Sequence, residues 1–238
     1  MSQWAAKRFW TTTSVVPEGN GYAIRLDARA VKTPAKQPLI VPTKGMAQAI
    51  ATEWQAQQGR VNPETMPFTR SANSAIDKVT PQFDAVVNLT AAYGASDLLC
   101  YRAMGPAELA ALQAQKWDPQ LSWAQQTYAV DLHVTIGVMP IPQPAQTTTR
   151  LHAEVARLTP FQLTAFHDLV ALTGSLVLAL AVTQGQLTAD QAWHLSRVDE
   201  DWQISLWGDD EDAAALAAFR HAALQHAGRF YALCGSQS

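Results

Sequence analysis

Polar and apolar positions alternate early in the chain and recur at helical spacing later. Tyr22, Ile24 and Leu26 alternate with Ala23 and Arg25, the period of a strand with one face on a core and the other towards solvent. Residues 10–16, rich in Thr and Val, predict the preceding strand, and Pro17-Glu18-Gly19-Asn20-Gly21 predicts the turn between them. Asp27-Ala28-Arg29-Ala30 reads as a tight turn into a short strand near Val31, and Leu39-Ile40-Val41 as another strand between two prolines. A helix is then expected over residues 43–59, with Thr43 as N-cap and Gly59 as the C′ stop. Its apolar stripe is Ala47, Ile50, Ala51 and Trp54, which makes Trp54 the structural anchor of a small sheet-and-helix layer. Asn62-Pro63 and Met66-Pro67 interrupt the chain before a second helix expected from Thr69.

From Pro81 the spacing is that of helices. Segments 82–93, 106–117 and 120–130 are predicted, with a break at Asp118-Pro119 and a loop at Gln143-Pro144. Longer helices are expected over 146–158, 160–183, 188–207 and 210–233, with Thr188 and Asp209 or Asp210 as N-caps. The unbroken apolar run 169–182 is only fourteen residues and contains Thr173, Gly174 and Ser175. A bilayer span needs about 20, so no membrane insertion is expected and the run reads as a buried central helix. Gly174, Ser175 and Ala179 would admit a close neighbour there. The predicted fold class is α+β: a two-layer domain over residues 1–79, mostly antiparallel sheet with a covering helix, then an orthogonal all-α bundle over 80–238.

Composition narrows the function classes. The chain has 238 residues, 48% hydrophobic and 16% charged, enough for a real core and unlike a disordered chain. A net charge of −3 gives no reason to expect nucleic acid as a partner. The sign is uneven, with ten Lys/Arg against seven Asp/Glu in residues 1–100 and seven against thirteen in 101–238. Cys100 and Cys234 are far apart and outside any metal or redox spacing, as expected of reduced thiols. The opening MSQWAAKRFW has neither the apolar stretch of a signal peptide nor the length of a transit peptide. A cytoplasmic protein, monomeric when free, is the expectation.

Catalytic motifs are absent. No dinucleotide or phosphate loop, no His-Glu-x-x-His and no Gly-x-Ser-x-Gly occurs, so no cofactor, no metal and no enzyme activity are expected. His167, Asp168 and Ser175 are the residue types of a hydrolytic triad without its elbow. His221 and His226, five apart, point to different faces of a helix. Asp77 and Asp97 read either as paired carboxylates or as caps and ion-pair partners of Arg70 and Arg102.

The segment 188–207 carries a sharper signal. Leu195, Val198, Trp202 and Leu206 form an inward stripe spanning roughly 80° of one continuous helix. Trp193, Glu200 and Trp207, spaced by seven, fall on the opposite face with Gln203 beside them. That row is either the second buried face of a sandwiched helix or an exposed aromatic interface with a central carboxylate.

Six ordered blocks give the chain a likeness: TPAKQPLIVP (33–42), TEWQAQ (52–57), MPFTRSANSAID (66–77), DLLCYRA (97–103), QAQKWDPQLSW (113–123) and DEDWQISLWGDD (199–210). Together they resemble the mitochondrial and alphaproteobacterial assembly chaperones of ATP synthase that attend the α subunit of the catalytic head. Phe68 stands where that family often has leucine, a core-sized exchange. The resemblance implies a chaperone that binds the unassembled α subunit, prevents its aggregation and hands it to the α/β hexamer. It favours the interface reading, with Trp193, Glu200, Gln203 and Trp207 as partner-binding residues. The rivals are a small-molecule enzyme with a site between the two domains near Asp77, Asp97 and Arg102, and a permanent structural subunit.

Overall fold

A computed structural model describes residues 7–235, which form two compact units. The first comprises the chain up to Phe83 together with 159–165 and the segment from Arg229, and the second comprises 84–158 and 166–228.

The first unit opens with strands β1 (Thr13–Glu18), β2 (Gly21–Leu26), β3 (Arg29–Ala30) and β4 (Ile40–Val41). All pairings are antiparallel, with β2 central: Val15 lies opposite Ile24, Arg25 opposite Ala30, and Tyr22 opposite Val41. The predicted two-faced pattern of β2 is only partly kept. Ala23 is as buried as Ile24 and Leu26, and only Tyr22 and Arg25 keep some exposure. Gly21 is required where β4 crosses, since a Cβ there would lie 2.5 Å from the Val41 carbonyl oxygen.

Helix α1 (Lys44–Ala56) covers this sheet with Met46, Ala47, Ile50 and Ala51. The Thr43 hydroxyl accepts the Met46 N–H and donates to the Leu233 carbonyl at 2.5 Å, which caps the helix and pins the end of the chain in one stroke. The helix stops earlier than the expected Gly59, at Gln57. The Gln57 amide donates to the Glu53 carbonyl and to Thr65 and accepts the Asn62 N–H, so a side chain turns the corner before the glycine is reached. Helix α2 (Pro67–Ser74) starts two residues before Thr69 because Glu53 of α1 supplies its cap, accepting the N–H groups of Phe68 and Thr69 at 2.6 and 2.8 Å. A π-turn, Ala75–Val79, and a 3-10 turn, Thr80–Gln82, continue the helical path.

The second unit is almost wholly helical: α3 (Phe83–Ala91), the short strand β5 (Tyr101–Arg102), α4 (Ala107–Tyr128), β6 (Thr135–Ile136), α5 (Ala145–Ala156), α6 (Pro160–Thr173), α7 (Leu176–Thr183), α8 (Ala189–Ser196), α9 (Val198–Trp207) and α10 (Glu211–Leu233). The overall class is α+β with the sheet at the beginning, as the patterning implies. Residues 160–165 of α6 and 229–233 of α10 belong to the first unit, where Phe68, Phe161 and Phe230 stack with centroids 6.3 to 6.4 Å apart. Among the described residues, no helix is long and apolar enough to cross a membrane.

Three more expected helix boundaries differ. Helix α4 runs unbroken through Pro119. The proline forfeits one N–H bond, but Trp117 and Ala124 on either side of it are fully buried, and that packing outweighs the lost bond. Conversely, the expected helix over 160–183 is split at Gly174, whose φ of +69° turns the chain, and at Ser175, which caps α7 by accepting the Leu178 N–H. The close neighbour at Gly174 is the start of the 3-10 turn Leu98–Cys100: the Gly174 carbonyl accepts the Leu98 N–H at 3.1 Å. Finally, the expected helix over 188–207 is two helices meeting at Arg197 (φ −115°, ψ 19°), although its Thr188 N-cap forms as a full capping box with Gln191.

Candidate functional site

The break at Arg197 decides where the aromatic row goes. Trp193, on α8, is 7% exposed, with its ring stacked on His221 of α10 at 5.1 Å and 13° and the Arg197 guanidinium 5.1 Å over it. It is therefore not on an exposed face shared with Trp207. The seven-residue spacing holds only along a continuous helix, and the change of direction at Arg197 rotates the two indoles apart. Asp190 ties the same cluster down, with His221 Nε2 at 2.9 Å and His194 Nε2 at 3.8 Å.

The other three residues stay together. Glu200, Gln203 and Trp207, with Ile204, recur at helical spacing on one face of α9 and line a groove of about 520 Å³ whose opposite wall is Ala213, Leu216 and Ala217 of α10. The inward stripe fades along α9. Val198 is buried and Trp202 half-buried, but Leu206 is 56% exposed, so the second half of the helix projects from the core. The two helices join through Gly208, whose φ of +84° ends α9, and Asp210, which caps α10 by accepting the Ala213 N–H. Trp207, Leu216 and Phe219 are 78%, 59% and 71% exposed. A monomer rarely leaves such large side chains bare in one place. The α10 wall was missed in the sequence because its apolar residues stand among alanines, without the stripe of large residues that marks a buried helix.

Below the groove, α8 and α9 are fastened to α4. Gln113 accepts the Ala103 N–H and donates to Asp199 at 2.6 Å, and the Trp117 indole N–H donates to the Leu195 carbonyl at 2.8 Å. Arg102, almost buried, donates to the Leu99 and Tyr101 carbonyls, pairs with Asp118 and lies 5.2 Å over the Trp117 ring. The root of the groove is thus rigid and its tip is exposed.

The residues of the rival sites are committed elsewhere. In the first unit Asp77 accepts the Thr33 hydroxyl and the Ala35 N–H. In the second, Asp97 is fully buried and accepts the Leu99 and Val177 N–H groups at 3.0 Å each, capping two helical starts. Desolvation pushes its carboxyl above the ordinary range against the lowering effect of those bonds. Ser175, the serine among the three triad-type residues, is buried as the α7 cap, while His167 lies 3.4 Å from its neighbour Asp168. Burial pushes the Cys100 and Cys234 thiols up to about 12. Among the described residues no group of three His, Cys, Asp or Glu side chains is placed to hold a metal ion.

Trp54 lies in the first unit, half-buried against its core, with the Trp10 ring 5.3 Å away in an edge-on arrangement.

Comparison with known proteins gives a consistent set of relatives. Residues 7–125 match the family described as ATP12 chaperone protein. The crystal structure of Atp12 from Paracoccus denitrificans is similar with a TM-score of 0.95 and 50% identity, covering 98% of this chain and 100% of that one. That of the Atu1473 protein from Agrobacterium tumefaciens is similar with a TM-score of 0.92 and 38% identity, covering 96% and 86%. The mitochondrial protein atp12 of Schizosaccharomyces pombe is 26% identical over 219 residues, 87% of this chain and 75% of that protein.

Proposed function

This chain belongs to the ATP12 chaperone family, and from that premise we propose that it binds the newly made α subunit of the ATP synthase catalytic head and releases it into the α/β hexamer. Assembly of ATP synthase is the family's task; the choice of the α subunit is our reading. The observation that carries it is the exposed groove between α9 and α10, where Glu200, Gln203 and Trp207 stand beside bare apolar side chains. An unassembled α subunit exposes apolar surface meant for its β neighbours, and covering that surface removes the patches that drive aggregation. Glu200 supplies a carboxylate for a donor group on the subunit, and Trp207 excludes water around the contact. Release needs neither nucleotide nor metal, because a β subunit that binds the same surface more tightly displaces the chaperone. The work is done as a monomer, in the cytoplasm where the subunit is made, and without catalysis.

Co-purification tests this. The chain should bring down the α subunit from a lysate lacking the β subunit, and should give it up when purified β subunit is added. An unchanged complex after β-subunit addition would make the chain a permanent subunit instead, and no α subunit in either preparation would contradict the proposal.

A further inference from the structure

Building on the α-subunit reading, we infer that the groove between α9 and α10 takes a segment bearing large apolar side chains with Lys or Arg beside them. The floor supplies the first half of this chemistry: Ile204, Trp207 and Leu216 offer apolar surface that only another apolar surface covers well. The rim supplies the second. Seven acidic residues fall between 199 and 212. Two are satisfied internally, Asp199 by the Gln113 amide and Asp201 by Arg197 at 3.5 Å. The other five are Glu200, Asp209, Asp210, Glu211 and Asp212, and among the described residues none has a cation within salt-bridge distance. Asp209 and Asp210 accept only backbone N–H groups.

Of the two arginines that line the groove, Arg197 is held by Asp201 and the Trp193 ring, which leaves Arg220 alone to offset the rim. Glu200, Asp209 and Asp210 line the groove and Glu211 and Asp212 follow directly in the first turn of α10, so their fields add near its mouth over a Debye length of ~8 Å at physiological ionic strength. An occupant that is only apolar would desolvate them without compensation, and an acidic one would be repelled. A second copy of this chain docked by the same face would set one acidic rim against another, which disfavours self-pairing. A basic apolar segment alone answers both the floor and the rim.

The test uses the full-length chain and purified α subunit, with affinity measured from about 50 to about 500 mM NaCl. The companion variant, Asp209→Asn with Glu211→Gln and Asp212→Asn, removes three of the five free charges while leaving the Asp210 cap and Glu200 in place. The unmodified chain should lose about tenfold or more in affinity across the salt range. The variant should start weaker and change less than threefold. In parallel, a photocrosslinking residue in place of Trp207 should attach to an α-subunit peptide that contains Lys or Arg among apolar residues. A variant that binds like the unmodified chain at every salt concentration, or a crosslinked peptide without basic residues, would overturn the inference and leave the α-subunit reading standing. Failure of both chains to bind at any salt concentration would contradict that reading, and this inference with it.

Discussion

His221 of α10 lies flat against Trp193 of α8, with ring centroids 5.1 Å apart and planes within 13°. This contact, closed from below by Asp190, joins α10 to α8 beside the root of the groove while its tip stays open. Trp193→Ala should therefore act on the fold, destabilising the protein by about 3–5 kcal/mol through the cavity left by a buried indole. Urea unfolding measures it. A loss under about 1 kcal/mol would mean that the stack contributes little.

Trp54 presents a milder case because it is only half-buried and meets Trp10 edge-on at 5.3 Å. Trp54→Ala should cost about 2–3 kcal/mol, below the range for a fully enclosed aromatic residue. α-Subunit capture by the folded variant should be unchanged. Lost capture with an unaltered melting curve would make Trp54 a contact residue rather than an anchor.

The buried Asp97 predicts a pH dependence of definite sign. Desolvation raises its folded pKa above the ordinary 3.8, so the folded chain keeps this proton at pH values where the unfolded chain releases it. Its stabilising contribution is then fullest below the unfolded pKa and is lost as pH rises through the folded one. Glu53, also raised by desolvation, acts in the same direction. Comparison with Asp97→Asn isolates the first group. The melting temperature of the unmodified chain, relative to that variant, should fall as pH rises from about 4 to about 7. A relative rise would show that the hydrogen bonds at Leu99 and Val177 outweigh burial.

Local chemistry was legible where the structure uses local contacts. The strand over residues 22–26, the Thr43 and Thr188 caps and the turn at Gly19 all follow from near neighbours in sequence. Long-range contacts were not legible. Pro119 gave a strong break signal, yet the buried Trp117 beside it holds α4 in one piece, aided by Arg102 from another element. Thr43 meets Leu233 across 190 positions, so nothing near either residue announces that the end of the chain packs with its beginning. The same limit shaped the reading of the site. Glu200, Gln203 and Trp207 share a continuous stretch of helix and kept their predicted face, whereas Trp193 lies beyond the break at Arg197 and lost it.

The blocks that carry the family likeness bond to one another. Glu53 of TEWQAQ caps the helix begun by MPFTRSANSAID, and Gln113 of QAQKWDPQLSW joins Ala103 of DLLCYRA to Asp199 of DEDWQISLWGDD. Those blocks therefore encode the scaffold of each unit as much as the groove itself. Gln113→Ala, by removing both bonds, should leave buried or half-buried polar groups unpaired and cost about 1–3 kcal/mol. α-Subunit capture at low temperature, where the fold survives, should change little. A melting curve matching the unmodified chain would remove Gln113 from this supporting role.

On the proposed function, Glu200 meets the α subunit from an exposed position in the groove. Glu200→Gln keeps the side-chain shape and removes its charge. Melting curves and α-subunit affinity should be measured on the same preparation. Melting should stay within experimental error, because an exposed carboxylate without a cation partner adds little to stability. Affinity should fall by roughly 2 kcal/mol or more, as expected when a charge contact becomes desolvated on binding and is then broken. Unaltered affinity in Glu200→Gln, or a fall in stability that precedes any loss of binding, would contradict the account.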